Sequence, residues 1–315
     1  MIQLAVARYP TALRAPVNPA AARLTRWPLR LAFRVPELPE LEVIRSRLRL
    51  ELAGRLITGT TLNHPALLRT VEPGLDTLHG RHVKGIDRHG KLLCINTDGP
   101  TRLCTHLMLN GRLGVMPTRQ KMTRHHLLAL HFDDGTDLRI SESGSRRRVA
   151  AFVVTEPKQV PWIARAGLDP LGPGFTLKHF RAALDRRNRT AKRFLTDQHA
   201  VAGIGNAYSD EILFEARLSP FQQTRSLKPE QSIRLFAAVK KVLHDAILQL
   251  KKLDRLPERR DRTFLKVHNR LGRSCPVCGS EVKRVSYKES TTYYCPGCQT
   301  GGKELADRRL SRLLK

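Results

Sequence analysis

Pro36 and Glu37 open the run Pro36-Glu37-Leu38-Pro39-Glu40-Leu41-Glu42, in which a proline stands directly before a carboxylate. This pair suits imine chemistry when the proline is the first residue of the chain. An N-terminal proline is a secondary amine near the reference α-amino pKa of ~8 and can attack a sugar aldehyde carbon, while the adjacent carboxylate moves protons. An internal proline nitrogen is a tertiary amide without basicity, so this chemistry turns on residues 1–35. A second reactive set lies near the carboxyl end. Cys275, Cys278, Cys295 and Cys298 read Cys-x2-Cys, sixteen residues, Cys-x2-Cys, within the ~15 to 20 residue window of a four-thiolate zinc site. One structural Zn2+ is the expectation and two disulfides the alternative. Cys94 and Cys104, each inside an apolar stretch, are expected to be core thiols.

Composition narrows the partners. The 315 residues carry a net charge of +28, and without the six arginines of residues 1–34 the 50 basic residues still face 28 acidic ones. So large an excess points to a polyanion, because neutralising phosphates releases counterions and supplies most non-specific affinity. Nucleic acid therefore comes first. No apolar run approaches the ~18 residues of a membrane span, and the length suggests about two domains on the ~150-residue prior.

The elements that must position these residues are legible in outline. Leu41, Ile44, Leu48 and Leu52 recur at three and four before Gly54, predicting an amphipathic helix from near Pro39 with a glycine stop. Short β-like runs follow at 92–95, 103–107 and 127–132, and Asp134-Gly135 joins the last to 138–140 as a hairpin. A β-sandwich or barrel is expected to about residue 155. The period then becomes helical, near 177–186, 190–198, 207–216 and 229–252. The last carries Pro229 at its start and Ile233, Phe236, Val239, Leu243, Ile247 and Leu250 along one face. The fold class is α+β multidomain: an extension (1–35), a β-sandwich domain with flanking helices (36–160), a helical domain (161–262), a four-cysteine finger with a β-hairpin (263–300) and a basic tail (301–315).

Three further motifs align with this order. Lys91 sits in Gly90-Lys91-Leu92-Leu93, 55 residues after Pro36. Gly203-Ile204-Gly205-Asn206-Ala207-Tyr208 links two helices through a glycine-bearing turn, where backbone amides at a helix start suit phosphate. Lys192 lies in Thr190-Ala191-Lys192-Arg193-Phe194-Leu195. With the Pro-Glu run and the cysteine quartet, these resemble the formamidopyrimidine-DNA glycosylase and endonuclease VIII family from Pro36 to about Cys298.

The resemblance implies a bifunctional DNA glycosylase and AP lyase of base excision repair, acting on damaged double-stranded DNA as a monomer. By this likeness Pro36 is the nucleophile, Glu37 the general acid and base, and Lys91 the catalytic lysine. Lys192 and Asn206 match phosphate clamps, and the helical domain is a helix-two-turn-helix. The family takes the target nucleotide out of the stack and fills the gap with wedge side chains. His106-Leu107-Met108-Leu109-Asn110-Gly111 places Leu109 at a wedge position, and Arg146-Arg147-Arg148-Val149-Ala150 places Arg148 as reader of the orphan base and Val149 as a further wedge. Oxidised purines, including 8-oxoguanine and formamidopyrimidines, are the default substrates, with oxidised pyrimidines next.

Two departures accompany it. Ser290 stands where the family carries a phosphate-binding arginine, five residues before the third cysteine, and a neutral hydroxyl cannot offer a charge-assisted fork; Lys288 on the same hairpin is the candidate replacement. Pro36 is also internal, whereas family chains begin with this proline after methionine removal. Val35 read as a GTG initiator, a cleaved targeting segment, or a retained tail are the three readings, and the first predicts a cytoplasmic, nucleoid-associated protein, the second an organellar one. A non-catalytic damage-binding protein of the same fold and an RNA-binding zinc-ribbon protein are the rival functions.

Overall fold

The computed structural model describes residues 36–305 except 145, 288 and 289; the extension, most of the basic tail and Lys288 lie outside the described residues. Helix α1 (Leu38–Leu52) begins one residue before the expected Pro39. Glu37 is its N-cap residue, its backbone N–H donating to Glu40 Oε2 at 2.9 Å, and Gly54, at φ +82°, takes the left-handed turn that follows. Eight strands succeed it: β1 (Leu56–Leu62), β2 (Arg81–His89), β3 (Leu92–Thr97), β4 (Arg102–His106), β5 (Gly111–Pro117), β6 (His126–Phe132), β7 (Thr136–Glu142) and β8 (Ala150–Val154). They form one antiparallel sheet in the order β5-β7-β6-β1-β2-β3-β4-β8. Only two residue pairs join β1 to β2, Leu56 to His82 and Ile57 to Arg81. The two halves of the sheet share one apolar core, with Leu113, Leu128 and Ile140 from one side and Ile86, Leu93 and Val153 from the other.

Helices α2 (Pro161–Ala164), α3 (Leu177–Asp185), α4 (Ala191–Thr196), α5 (Asn206–Glu215) and α6 (Pro229–Lys251) build the second domain, and strands β9 (Lys283–Tyr287) and β10 (Ser290–Tyr294) with α7 (Pro296–Gln299) close the cysteine segment. Thr176 and Thr190 cap α3 and α4, accepting from the backbone N–H groups of His179 and Arg193. Along α6 the buried face runs through Leu235, Val239, Leu243, Ile247 and Leu250, but Ile233 is 46% exposed. Six residues before Val239 it points about 120° away at ~100° per residue, so the expected stripe begins later.

Helix α1 belongs to both domains. Leu41, Ile44, Leu48 and Leu52 enter the sheet core, while Leu38 and Val43 enter the helical core beside Ile204, Tyr208 and Val239. Each of these side chains contributes about 1.5–3 kcal/mol on burial, so the start of α1 is pinned where the domains meet. One expectation is corrected here: Cys94 and Cys104 form a disulfide. They are register partners on neighbouring strands β3 and β4 with Cα atoms 4.0 Å apart, a juxtaposition that only strand pairing creates.

Candidate active site and nucleic-acid interface

Glu37 is 4% exposed. Its carboxylate lies at the amino end of α5 and accepts from the backbone N–H groups of Gly205 (2.6 Å), Ala207 (3.0 Å) and Tyr208 (3.3 Å). The Gly205 amide, expected to help hold a phosphate, is thus taken, with those of Ala207 and Tyr208, by a side chain from the start of α1, for the same reason: converging donors and a helix dipole favour an anion. The glycines of the turn are required by this approach. A Cβ on Gly205 would collide with the Glu37 carboxyl group, and one on Gly203, at φ +89°, would meet Leu38 Cβ at 2.9 Å. Burial pushes the Glu37 pKa up, but Arg262, Lys91 and the Ala207 N–H together outweigh it and hold the group below its ordinary value. It is a carboxylate at neutral pH.

Lys91 follows the β2–β3 turn at Gly90 (φ 58°). Burial lowers its ammonium pKa, and Glu37 opposes that shift. Pro36, Glu37 and Lys91 are therefore gathered at one junction, although 55 residues separate the first and last. The turn is held by Arg88, whose side chain is 4% exposed. Its Nη1 donates to Gly90 O at 3.1 Å, its Nε to Glu42 of α1 at 3.1 Å, and its Nη2 to both oxygens of Asp169 at 2.9 Å. One guanidinium thus fixes the lysine turn to α1 and to the interdomain segment. Arg88→Ala is expected to lower the rate of the chemical step by about 10²-fold through misplacement of Lys91, with duplex affinity changed far less; single-turnover rates beside equilibrium binding measure the two.

Arg262, the last residue of the expected helical domain, completes the junction. It donates to Glu40 through Nε and Nη2 at 2.7 Å each, approaches Glu37 Oε1 at 3.6 Å and lies over the Tyr208 ring. Sequence separation of 222 residues from Glu40 hides it from local reading. His106, at the end of β4, also went without a role. Its Nδ1 accepts from Met108 N at 2.9 Å, and Trp162 stands edge-on at 5.2 Å. Burial and then Lys91 lower its pKa to about 4, so the ring is neutral with its proton on Nε2. The unfolded chain protonates this group near 6.5 and the folded chain near 4. Between those values the unfolded state binds the extra proton, so stability falls as pH drops from about 6.5 to about 4. His106→Gln is expected to flatten that limb when the unfolding free energy in urea is followed against pH; an unaltered slope would exclude His106 as its source.

The loops after β4 and β7 present the predicted wedge residues unequally. Leu109 is 38% exposed and Arg148 is exposed. Val149 does not project: it is 2% exposed, packed against the 107–111 loop, with a Cγ within 2.6 Å of where a Cβ on Gly111 would stand. The cause is Glu142, whose carboxylate accepts from both Arg148 N and Val149 N and draws the backbone inward. Lys192 is 7% exposed with its ammonium ion-paired to Asp210, which also meets His268 Nδ1 at 2.7 Å. Asn206 Nδ2 donates to Thr291 O of β10 at 2.8 Å, tying the turn to the cysteine hairpin.

Cys275, Cys278, Cys295 and Cys298 place their sulfur atoms within 4.8 Å of one another. The pairs Cys275–Cys298 and Cys278–Cys295 lie at 3.8 and 3.3 Å, close to the ~3.8 Å between sulfurs of a tetrahedral site with 2.3 Å bonds. Four thiolates in this arrangement fit a single metal ion, and the two-disulfide alternative finds no bond formed.

Known proteins share this architecture. Residues 35–152 match the formamidopyrimidine-DNA glycosylase N-terminal domain and residues 166–254 the formamidopyrimidine-DNA glycosylase H2TH domain. The formamidopyrimidine-DNA glycosylase of Listeria innocua is 30% identical over 278 residues, spanning 84% of this chain and all of that one. The crystal structure of the MutM (Fpg) protein from Thermus thermophilus superposes with a TM-score of 0.74 at 33% identity, covering 85% of this chain and 100% of that one. Structures of the Lactococcus lactis protein, 26% identical with TM-scores of 0.75 to 0.76, cover 84% of this chain and at least 99% of that one, and contain Fapy-dG DNA, abasic-site DNA or oxidised-pyrimidine DNA. Fold and site together define a DNA glycosylase of base excision repair. The chain belongs to the formamidopyrimidine-DNA glycosylase family.

Proposed function

We propose that this protein excises oxidised bases from duplex DNA and cleaves the strand through an iminium formed at the Pro36 amine. The observation that carries the reading is the ionised Glu37 carboxylate, fixed beside Pro36 and facing Lys91. A carboxylate at this point takes the proton that Pro36 must lose before its lone pair can attack, and it stabilises the cation formed next. The Pro36 nitrogen bonds to C1′ as the glycosidic bond breaks, and the base departs with the bonding electron pair and takes its proton from water, while Glu37 passes the proton it accepted from Pro36 to the ring oxygen. Opening of the C1′–O4′ bond gives the iminium, and loss of a C2′ proton then expels the 3′ phosphate and cleaves the strand. Lys91 sets a cation against the lesion's sugar and phosphate.

Leu109 fills the vacated stack, Arg148 reads the orphan base, and Lys192, Asn206 and Lys288 contact phosphates. For Lys192 this requires exchanging Asp210 for a phosphate oxygen. A single Zn2+ held by the four cysteines is the structural metal. Formamidopyrimidine and 8-oxoguanine are the leading substrates and oxidised pyrimidines the next, in keeping with the DNA bound to the Lactococcus relative. The acting form begins at Pro36, works as a monomer and resides with genomic DNA in the cytoplasm; the matched N-terminal domain starting at residue 35 supports that boundary.

Borohydride reduction of a chain starting at Pro36 with an abasic-site duplex tests the mechanism, and a covalent protein–DNA adduct is expected. No adduct with the duplex still bound would favour a non-catalytic damage-binding protein, the reading to which Ser290 in place of the hairpin arginine lends support.

A further inference from the structure

The stretch from α3 into the first turn of α4 carries more charge than the cleft described above uses. From residue 178 to 193 seven basic residues accompany a single acid, Asp185. Its backbone is immobilised against the segment before α6. Thr224 N donates to Arg189 O at 2.8 Å, Ala191 N to Gln222 O at 2.7 Å, Thr224 Oγ1 to Arg187 O at 3.2 Å, and Arg225 N to Asn188 Oδ1 at 3.3 Å. Arg189 is spent on structure, paired with Asp197 and stacked on Phe194. Arg186, Arg187, Arg193 and Arg225 are exposed, and none of the four forms an ion pair among the described residues. Two adjoining depressions of about 370 and 600 Å3 open here, sharing Arg189, the first lined by Arg187 and Arg193, the second by Arg165 and Arg186.

A fixed backbone presenting unpaired guanidinium groups has already met part of the ordering cost of binding an anion, and planar forks suit phosphate oxygens. The ridge is not an extension of the clamp itself. Lys192 faces the buried side of α4 toward Asp210 and Asn206, whereas Arg193, one residue on and about 100° around the helix, faces the depression outside.

Resting on the reading of this chain as a duplex-DNA enzyme, we infer that Arg186, Arg187, Arg193 and Arg225 form a second phosphate-binding surface, which engages the flanking duplex beyond the lesion cleft. The surface holds DNA without reading sequence and acts in search and retention, apart from the chemistry.

The test compares the Pro36-start protein with its Arg186→Gln/Arg187→Gln/Arg193→Gln variant on abasic-site duplexes of about 12 and about 40 base pairs, titrated over salt. Each phosphate contact contributes about −0.9 to the slope of log K against log salt. The variant is expected to lose two to three units of slope and about tenfold or more in affinity on the long duplex, with binding and borohydride trapping on the short duplex within twofold of the parent. Equal loss on both lengths, or no loss on either, overturns the inference. So does a loss confined to RNA of the same length, which would assign the ridge to RNA. A triple Arg→Lys variant that restores the long-duplex slope separates charge from folding, and melting temperature checks the scaffold. Failure of the parent itself to trap on the short duplex would count against the lyase reading and leave the length comparison standing by its own binding data.

Discussion

A chain whose first residue is Pro36 is expected to form the borohydride-trapped adduct on the order of 10³-fold faster, or more, than the 315-residue chain, with both binding the duplex. The contrast follows from one bond. Behind Val35 the Pro36 nitrogen is an amide, its lone pair delocalised into a carbonyl, and no placement of Glu37 or Lys91 restores nucleophilicity to it. Released, the same atom is a secondary amine beside an ionised carboxylate that Gly205, Ala207 and Tyr208 hold in place. A Pro36-start chain extended by one glycine isolates the effect, since it changes almost no surface and blocks the amine's position. Equal trapping by all three chains would show that the nucleophile lies elsewhere, with Lys91, its pKa lowered by burial, the first alternative to replace. Trapping by none, with binding retained, would mean that the junction holds DNA without attacking it.

What the sequence discloses about this site depends on how locally each feature is encoded. The four cysteines announce themselves because one ion fixes their spacing, and the β6–β7 hairpin because Asp134-Gly135 suits a tight turn, Gly135 adopting φ 76°. Pro36, Glu37 and Lys91 were legible from their order along the chain. The residues that hold them were not. Arg88 reaches Asp169 across 81 positions and Arg262 reaches Glu40 across 222, and a charged side chain in a polar run looks the same whether it faces solvent or a buried carboxylate. Glu142 likewise draws Val149 into the core from seven residues away, turning an expected wedge into packing. The pairing of Cys94 with Cys104 needed the register of β3 on β4. Chemistry-bearing residues are local words, while their supports are products of tertiary closure.

Removing the metal, by chelation or by Cys295→Ser, is expected to abolish tight DNA binding by at least about 10²-fold while most helical structure survives. Apparent metal-binding energies of about 10–16 kcal/mol in thiolate sites exceed what so short a segment gains from apolar burial; its core is little more than Val267, Val282 and the cysteines against Phe214. Collapse of the finger would reach the interface through the bonds it makes to α5, among them those from His268 to Asp210, the partner of Lys192, and from the 266–268 backbone to Glu211. Asn206 would also lose Thr291 O, and Gln299 Nε2 would release Leu218 O, three residues beyond α5. The α4–α6 core, built from Phe194, Tyr208, Leu235 and Leu243, does not depend on these bonds. Far-ultraviolet circular dichroism should therefore change little while fluorescence anisotropy with an abasic duplex reports the loss, and added Zn2+ should restore binding to the chelated protein but not to the serine variant. Full affinity after complete metal removal would place the phosphate contacts outside the finger and make Ser290 and Lys288 irrelevant to binding. Loss of binding together with the helical signal would instead show that the metal supports the whole helical domain, a coupling that the separate apolar clusters argue against.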